Sequence, residues 1–234
     1  MAAEVRRELV FVNDPVIVGY VRNLGESILR AAGPQPFEYR FYVVESDEIN
    51  AFAGPAGYIY VHTQTILAAR NASELAGVIA HEIGHVQRRH IASNYNRQRN
   101  TQIGYRAAVL AAALFGGGPA AAAASVGGGL AATAYLNSFG RDAEMEADSF
   151  AVDTMPRAGY DPNGLVTFFE TLQREAGDHS DFLSSHPATA DRAEAARAQI
   201  AAHPPPEGLT VDDNGRLEII QRRIELLYPP RPHH

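Results

Sequence analysis

The chain has 234 residues, a formal net charge of −7 and a pI near 5.7, which is enough length for one substantial domain. This acidic balance gives no electrostatic basis for binding nucleic acid, so we exclude nucleic acid as a partner. The absence of cysteine excludes disulfides and thiolate metal sites, so any zinc site must use histidine and carboxylate ligands.

The first elements predicted along the chain are a helix, a strand and a hairpin. Apolar residues at helical spacing predict an amphipathic helix over 15–32 that ends at Gly33-Pro34. Alternating aromatic and polar residues predict a strand over 37–44. The β-prone residues around Gly54 to Gly57 predict a hairpin over 50–61.

The first strand of that hairpin has two interpretations. The residues alone favour an ordinary structural hairpin, and the alternative is an edge strand against which an extended peptide pairs. The candidate substrate-binding residues are Asn50, Ala51, Phe52 and Ala53.

The strongest functional signal is the pentapeptide that runs from His81 to His85, HEIGH, in a helix predicted over 71–90. On a helix the two histidines are one turn apart on one face, close enough to bind one metal ion. Glu82 lies beside the first histidine, where it can reach a metal-bound water without being a ligand. The pattern also occurs by chance in unrelated proteins, so its meaning depends on partners elsewhere in the chain.

A segment rich in alanine and glycine follows over 105–135. Its apolar runs are broken at Gly116 to Pro119 and again at Gly127 to Gly129, so neither supplies the roughly 20 apolar residues of a membrane-spanning helix. We expect two short helices, or a flap over the cleft or on a membrane surface.

A second long helix is predicted from Asn137 or Ser138 to Pro156. It carries Glu144 and Asp148 one turn apart, and its small residues allow close approach to another helix. Glu144 is the chosen third metal ligand, with a solvated carboxylate as the alternative. Asp148 either accepts the free N–H of a ligating histidine or forms a salt bridge with Arg141.

Three further helices are expected in the remainder of the chain. One covers 165–175, and a second begins near Pro187 and ends before Pro204 to Pro206. The third lies within the tail, over 216–228. The proline run is the best candidate for a linker.

Four ordered motifs together resemble the M48 family of zinc metalloendopeptidases. They are NAFAGPAGYIYV from Asn50, HEIGH from His81, GRDAEMEAD from Gly140 and SSHPATADR from Ser184. The likeness covers roughly residues 15–200 and is strongest to the soluble, periplasmic or membrane-peripheral bacterial branch. It implies an α+β, predominantly α-helical, zincin-like fold of the gluzincin type, with a small antiparallel sheet beside the HExxH helix.

The resemblance also implies the site. One zinc ion per chain is held by His81, His85 and Glu144, and Asp148 lies behind the ligands. The candidate catalytic residues are Glu82, His186 and Arg192. Glu82 is the general base, Arg192 orients a carboxylate, and His186 either stabilises the developing oxyanion or occupies the open zinc position in a resting state. The other histidines are assigned structural or solvent-exposed positions, and they are His62, His90, His179, His203, His233 and His234.

By the same resemblance, residues 1–203 form the peptidase domain and 204–234 a proline-rich linker and tail. The expected activity is zinc-dependent hydrolysis of peptide bonds in protein substrates, misfolded or envelope proteins, as part of protein quality control. The alternative is a non-proteolytic zinc-binding holdase that uses the same groove. No signal peptide is visible at the N-terminus. The resemblance nevertheless implies a periplasmic or membrane-peripheral protein whose export signal has been removed, with the cytoplasm as the alternative.

Overall fold

The structure is a computed structural model that describes residues 9–93, 140–175, 186 and 190–229. Helices dominate these ranges and a small sheet accompanies them, which confirms the predicted α+β, mainly helical fold class. The segment predicted as a flap, 105–135, lies outside the described residues. Within the described ranges, no helix combines the length and the apolar character that crossing a bilayer requires.

Helix α1, Pro15–Ala32, forms where the sequence predicted it. The Asp14 carboxylate caps it by accepting hydrogen bonds from the amides of Val16 and Ile17, both at 3.1 Å. One face of α1 is buried, and its buried members are Ile17, Val21, Leu24, Gly25 and Ile28.

The sheet contains β1 (Arg40–Val44), β2 (Ala51–Gly54) and β3 (Tyr58–His62), in the spatial order β1-β3-β2. The predicted hairpin is present, because β2 and β3 pair antiparallel around the turn Pro55–Gly57. However, β1 and β3 pair in parallel, so the sheet is mixed and the prediction of an antiparallel sheet was wrong on this point. The hairpin's second strand inserts between its first strand and β1, and it runs in the same direction as β1.

Helix α2, Thr63–Ala68, leads into α3, Ala72–Gln87, which carries the HEIGH residues. The side chain of Asn71 caps α3 by accepting from the amide of Glu74 at 2.9 Å. The Glu74 side chain does not complete a capping box with Asn71, because it accepts hydrogen bonds from the amide and guanidinium of Arg70.

Helix α3 is buried on every side over residues 72–86. The reason is its central position, since β2, α1 and two further helices all pack against it. These two are α4 (Arg141–Thr154) and α5 (Asn163–Glu175). A helix enclosed in this way holds its side chains rigidly.

Small residues permit this enclosure. A Cβ atom added to Gly84 in α3 would lie 3.0 Å from the Cα and carbonyl oxygen of Ala147 in α4. A Cβ at Gly77 would lie 2.9 Å from the backbone of Leu165 in α5. Ala147 and Ala151 are completely buried, as expected for the small residues predicted to admit a neighbouring helix.

Helix α6, Ala190–Ala202, packs on α4 and α5. The tail then returns to the body of the protein through α7, Arg216–Leu227. Arg223 of α7 pairs with Asp14 at 2.7 Å, and the Gln221 side chain donates to the carbonyl of Ala69 at 2.8 Å. The division of the chain near residue 203 stays a prediction.

Candidate metal centre

Two histidines of α3 and one glutamate of α4 converge in the core. The Nε2 atoms of His81 and His85 are 3.0 Å apart, as the one-turn spacing on one helix face predicted. The Glu144 carboxylate reaches both, with Oε2 3.4 Å from His81 Nε2 and Oε1 3.3 Å from His85 Nε2. The helix–helix contact at Gly84 brings Glu144 within this distance.

His186 completes the cluster. Its Nδ1 lies 3.0 Å from Glu144 Oε1 and 3.3 Å from His81 Nε2. The potential ligand atoms of His81, His85, Glu144 and His186 all lie within 4.8 Å of one another, and all four residues are buried. Imidazole nitrogens and a carboxylate are the donors that protein zinc sites use, so these residues fit a zinc ion.

Asp148 and Arg192 form a layer behind the ligands. Asp148 Oδ1 lies 2.8 Å from Nδ1 of His81, the ring nitrogen that faces away from Glu144. Arg192, which is 1% exposed, donates to both oxygens of Asp148 at 2.7 and 2.8 Å and pairs with Glu144 Oε2 at 2.8 Å. Arg141, the alternative partner of Asp148, pairs with Asp191 instead.

The electrostatics of this cluster give His85 and Glu144 the protonation states that a metal ligand needs, whereas His81 would have to lose a proton to bind a metal. Burial lowers the pKa of His85 well below its ordinary value, so its imidazole is neutral. Burial raises the pKa of Glu144, but the three neighbouring imidazoles outweigh it and the net shift is downward, so Glu144 is a carboxylate. Burial lowers the pKa of His81, yet hydrogen bonds to Asp148 and Glu144 raise it to about 9.

Glu82 differs from the other carboxylates of the site. It is completely buried, and among the described residues neither of its oxygens has a hydrogen-bond partner. The nearest imidazole nitrogen is Nε2 of His186, 3.6 Å from Oε1. Burial raises the pKa of Glu82, while the imidazoles of His186 and His81 oppose this shift. A buried carboxylate without hydrogen bonds is costly, and such groups are concentrated at functional sites.

The proposed substrate-binding strand β2 packs on α3, the helix that carries Glu82, and it lies at the edge of the described sheet. Ala51 is completely buried, whereas the Phe52 ring stacks on Tyr60 with centroids 4.8 Å apart. Asn50 is fixed by hydrogen bonds from its backbone N–H and to its carbonyl, both with the Thr65 hydroxyl. The strand is therefore rigidly placed against α3.

Two residues beside the site, His90 and Glu146, were not predicted from the sequence. Nδ1 of His90 lies 3.1 Å from Nδ1 of His85, and Nε2 of His90 lies 3.2 Å from Glu146 Oε2. A separation of five residues does not place two side chains on one helix face. The contact depends on the turn after α3, in which Arg89 adopts a positive φ of 60°. Nothing in the sequence indicated that turn.

Comparison with known proteins agrees with this geometry. Residues 18–200 match the model of peptidase family M48. The beta-barrel assembly-enhancing protease of Escherichia coli strain K12 is 33% identical over 199 residues, which cover 83% of this chain and 41% of the relative. Its namesake in Yersinia pestis is 32% identical over 212 residues, 86% of this chain and 43% of the relative.

The metalloprotease LoiP of Escherichia coli strain K12 is 32% identical over 169 residues, 72% of this chain and 64% of the relative. The chain thus spans about two fifths of the length of the two assembly-enhancing proteases. The family match covers most of the chain and includes every residue of the cluster. The chain belongs to peptidase family M48.

Proposed function

We propose that this protein is a zinc-dependent metalloendopeptidase that hydrolyses internal peptide bonds of polypeptide substrates. One observation carries the proposal: four buried ligand groups converge on one point, and the buried Glu82 carboxylate lies beside them without a hydrogen-bond partner among the described residues. The names of the relatives, which are proteases and metalloproteases, support the same activity.

His81 and His85 hold the metal through Nε2, and Glu144 holds it through its carboxylate. Asp148 accepts the outer N–H of His81, which fixes the tautomer that leaves Nε2 free for the metal. When bound, zinc polarises the scissile carbonyl and lowers the pKa of a bound water molecule.

Glu82 is the general base. Its carboxylate accepts the proton of the attacking water and then passes that proton to the leaving amine. Burial raises the pKa of Glu82, so its carboxylate is a stronger base than that of an exposed glutamate. A metal site that was purely structural would have no use for this buried acid.

His186 acts as a latch. Its imidazole lies among the ligand groups, 3.0 Å from Glu144 and 3.6 Å from Glu82, in the space that a scissile carbonyl and a water molecule must enter. The arrangement therefore corresponds to a resting state from which His186 withdraws when substrate enters. The alternative, in which His186 donates to the developing oxyanion, requires it to stay close to the reacting carbonyl.

The substrate binds as an extended chain along β2. An edge strand offers main-chain hydrogen bonds to a peptide, and these give affinity with little dependence on sequence. Strand β2 packs against α3, the helix that carries Glu82, so a peptide paired with β2 would run past the base. The substrates are misfolded or envelope proteins, met in the periplasm or at a membrane surface, and the names of the relatives support this context.

The direct test is digestion of unfolded casein by the purified protein. We expect cleavage that a chelator abolishes and that added zinc restores, together with no cleavage by the Glu82→Gln variant. A non-proteolytic holdase would instead suppress aggregation of an unfolded client without cutting it, and Glu82→Gln would leave that effect unchanged. This result would contradict the proposed activity.

A further inference from the structure

We propose that His90 is a positioning residue, which fixes the orientation and tautomer of the metal ligand His85, and that Glu146 holds His90 in place. The inference rests on the proposed function, because it takes His85 as a zinc ligand. It assigns a role to a histidine that the sequence left as structural or solvent-exposed.

The three side chains form a continuous row. Nδ1 of His85 faces Nδ1 of His90 at 3.1 Å, and their rings meet edge to face with centroids 5.1 Å apart. On its far side, Nε2 of His90 faces Glu146 Oε2 at 3.2 Å. The row therefore begins at the ligand and ends at a carboxylate near the surface, where the Glu146 side chain is 59% exposed.

The chemistry allows one arrangement of protons along this row. His85 presents Nε2 to Glu144 and the other ligands, so its proton is on Nδ1 when it binds a metal. Nδ1 of His90 lies 3.1 Å from it and accepts this N–H in the proposed arrangement, in which Nδ1 of His90 carries no proton. His90 then has its proton on Nε2, and this N–H donates to Glu146, a carboxylate that only accepts.

His81 and His85 are supported in parallel ways. Nδ1 of His81 meets Asp148 directly, and Nδ1 of His85 meets Glu146 through His90. Both carboxylates belong to α4, which also supplies Glu144. One helix thus provides a ligand and the two acids that orient the histidine ligands, in the sequence Glu144-Met145-Glu146-Ala147-Asp148.

The alternative is that His90 and Glu146 form only a surface ion pair. Such pairs contribute little to stability, and this one would have no effect on metal binding. The two interpretations predict different zinc affinities for a variant that lacks the His90 ring. If His90 only pairs with Glu146, removing its ring leaves the zinc affinity unchanged. If it orients His85, removing it lowers that affinity about tenfold, which is typical of groups that support metal-ligating histidines.

The experiment measures zinc affinity by competition with a chromophoric chelator for four proteins: wild type, His90→Ala, His90→Asn and His203→Ala. We expect His90→Ala to bind about tenfold more weakly, and His90→Asn, which keeps an acceptor near the Nδ1 position, to stay within about threefold of wild type. His203→Ala is the matched control, because His203 is exposed at the end of α6 and should have no effect.

A second readout needs no variant. In zinc-loaded wild-type protein labelled with ¹⁵N-histidine, long-range ¹H–¹⁵N correlation spectra should show His85 protonated on Nδ1 and His90 on Nε2. A proton on Nδ1 of His90, or an unchanged zinc affinity in His90→Ala, would overturn the inference and leave the proposed function intact. If the wild-type protein binds no zinc, both proposals fall.

Discussion

Gly84 of α3 lies directly against Ala147 of α4, so closely that a Cβ atom on Gly84 would come within 3.0 Å of the Ala147 backbone. Both residues lie within the motifs of the site, Gly84 between the two ligand histidines and Ala147 between Glu144 and Asp148. The absence of a side chain at Gly84 therefore sets the distance over which Glu144 reaches His81 and His85.

We predict that Gly84→Ala moves α4 away from α3. The expected cost is about 1–3 kcal/mol of unfolding free energy, as for other overpacked cores, together with weaker zinc binding. Urea unfolding and chelator competition measure the two effects. Gly19→Ala is the control, because Gly19 lies in α1 and, among the described residues, nothing beyond the adjacent helix backbone lies within 4 Å of an added Cβ. It should be neutral or stabilising by up to about 1 kcal/mol. An equal effect of both substitutions would contradict this account of the helix contact.

The second prediction concerns the base. Glu82→Gln keeps the shape of the side chain but cannot accept the proton of the attacking water, so peptide hydrolysis should fall by about 10²- to 10⁴-fold. Zinc stoichiometry should remain that of wild type, because Glu82 is not among the proposed ligands. Turnover of a quenched fluorescent peptide and metal analysis of the dialysed protein test the two statements. Unchanged turnover would remove Glu82 from the mechanism.

The third prediction separates the two roles considered for His186. As a latch, His186 competes with substrate for the position beside Glu144, so His186→Ala should raise the rate of peptide cleavage. As an oxyanion donor it would be needed for turnover, and the same variant would be slower by about 10²-fold or more. Initial rates at subsaturating peptide decide between them, and a slower variant would contradict the latch.

The fourth prediction concerns acid stability at the junction of the N-terminal helix and the tail. Hydrogen bonds and charge from Arg223, together with the capping amides, lower the pKa of Asp14 from 3.8 to about 2, although burial opposes the shift. A carboxyl group whose pKa is lowered by folding stabilises the protein above its unfolded pKa, and that stability is lost as the pH falls towards the folded value. The window is therefore about pH 4 to 2.

Removing the partner should remove this pH dependence. In the presence of a chelator, Arg223→Gln should lower the free energy of unfolding at pH 6, and the gap from wild type should close as the pH approaches 2. Urea unfolding across this range provides the measurement. Arg222→Gln is the matched control, since Arg222 is an exposed neighbour that pairs with Glu225. A gap that stays constant with pH would refute the assignment to Asp14.

The parts of the site that depend on helical periodicity could be predicted from sequence. The spacing of His81 from His85, and of Glu144 from Asp148, fixes which side chains share a helix face, whatever the rest of the fold does. The small residues around Glu144 also indicated correctly that another helix approaches there, and Ala147 is completely buried against it.

Features that depend on long-range pairing or on a single turn could not be predicted. The parallel pairing of β1 with β3 arises because β3 inserts between two strands that precede it, and strand order leaves no local trace in the sequence. The contact of His90 with His85 requires the positive φ of Arg89, a conformation that arginine rarely adopts. Both depend on the surrounding structure rather than on local propensity.

The central claim is that His81, His85 and Glu144 hold one zinc ion. Anomalous diffraction from crystals of the zinc-loaded protein, recorded on both sides of the zinc absorption edge, tests it most directly. We predict a single strong peak about 2.0–2.2 Å from Nε2 of both histidines and from a carboxylate oxygen of Glu144. A peak elsewhere, or no peak at the cluster, would contradict the account.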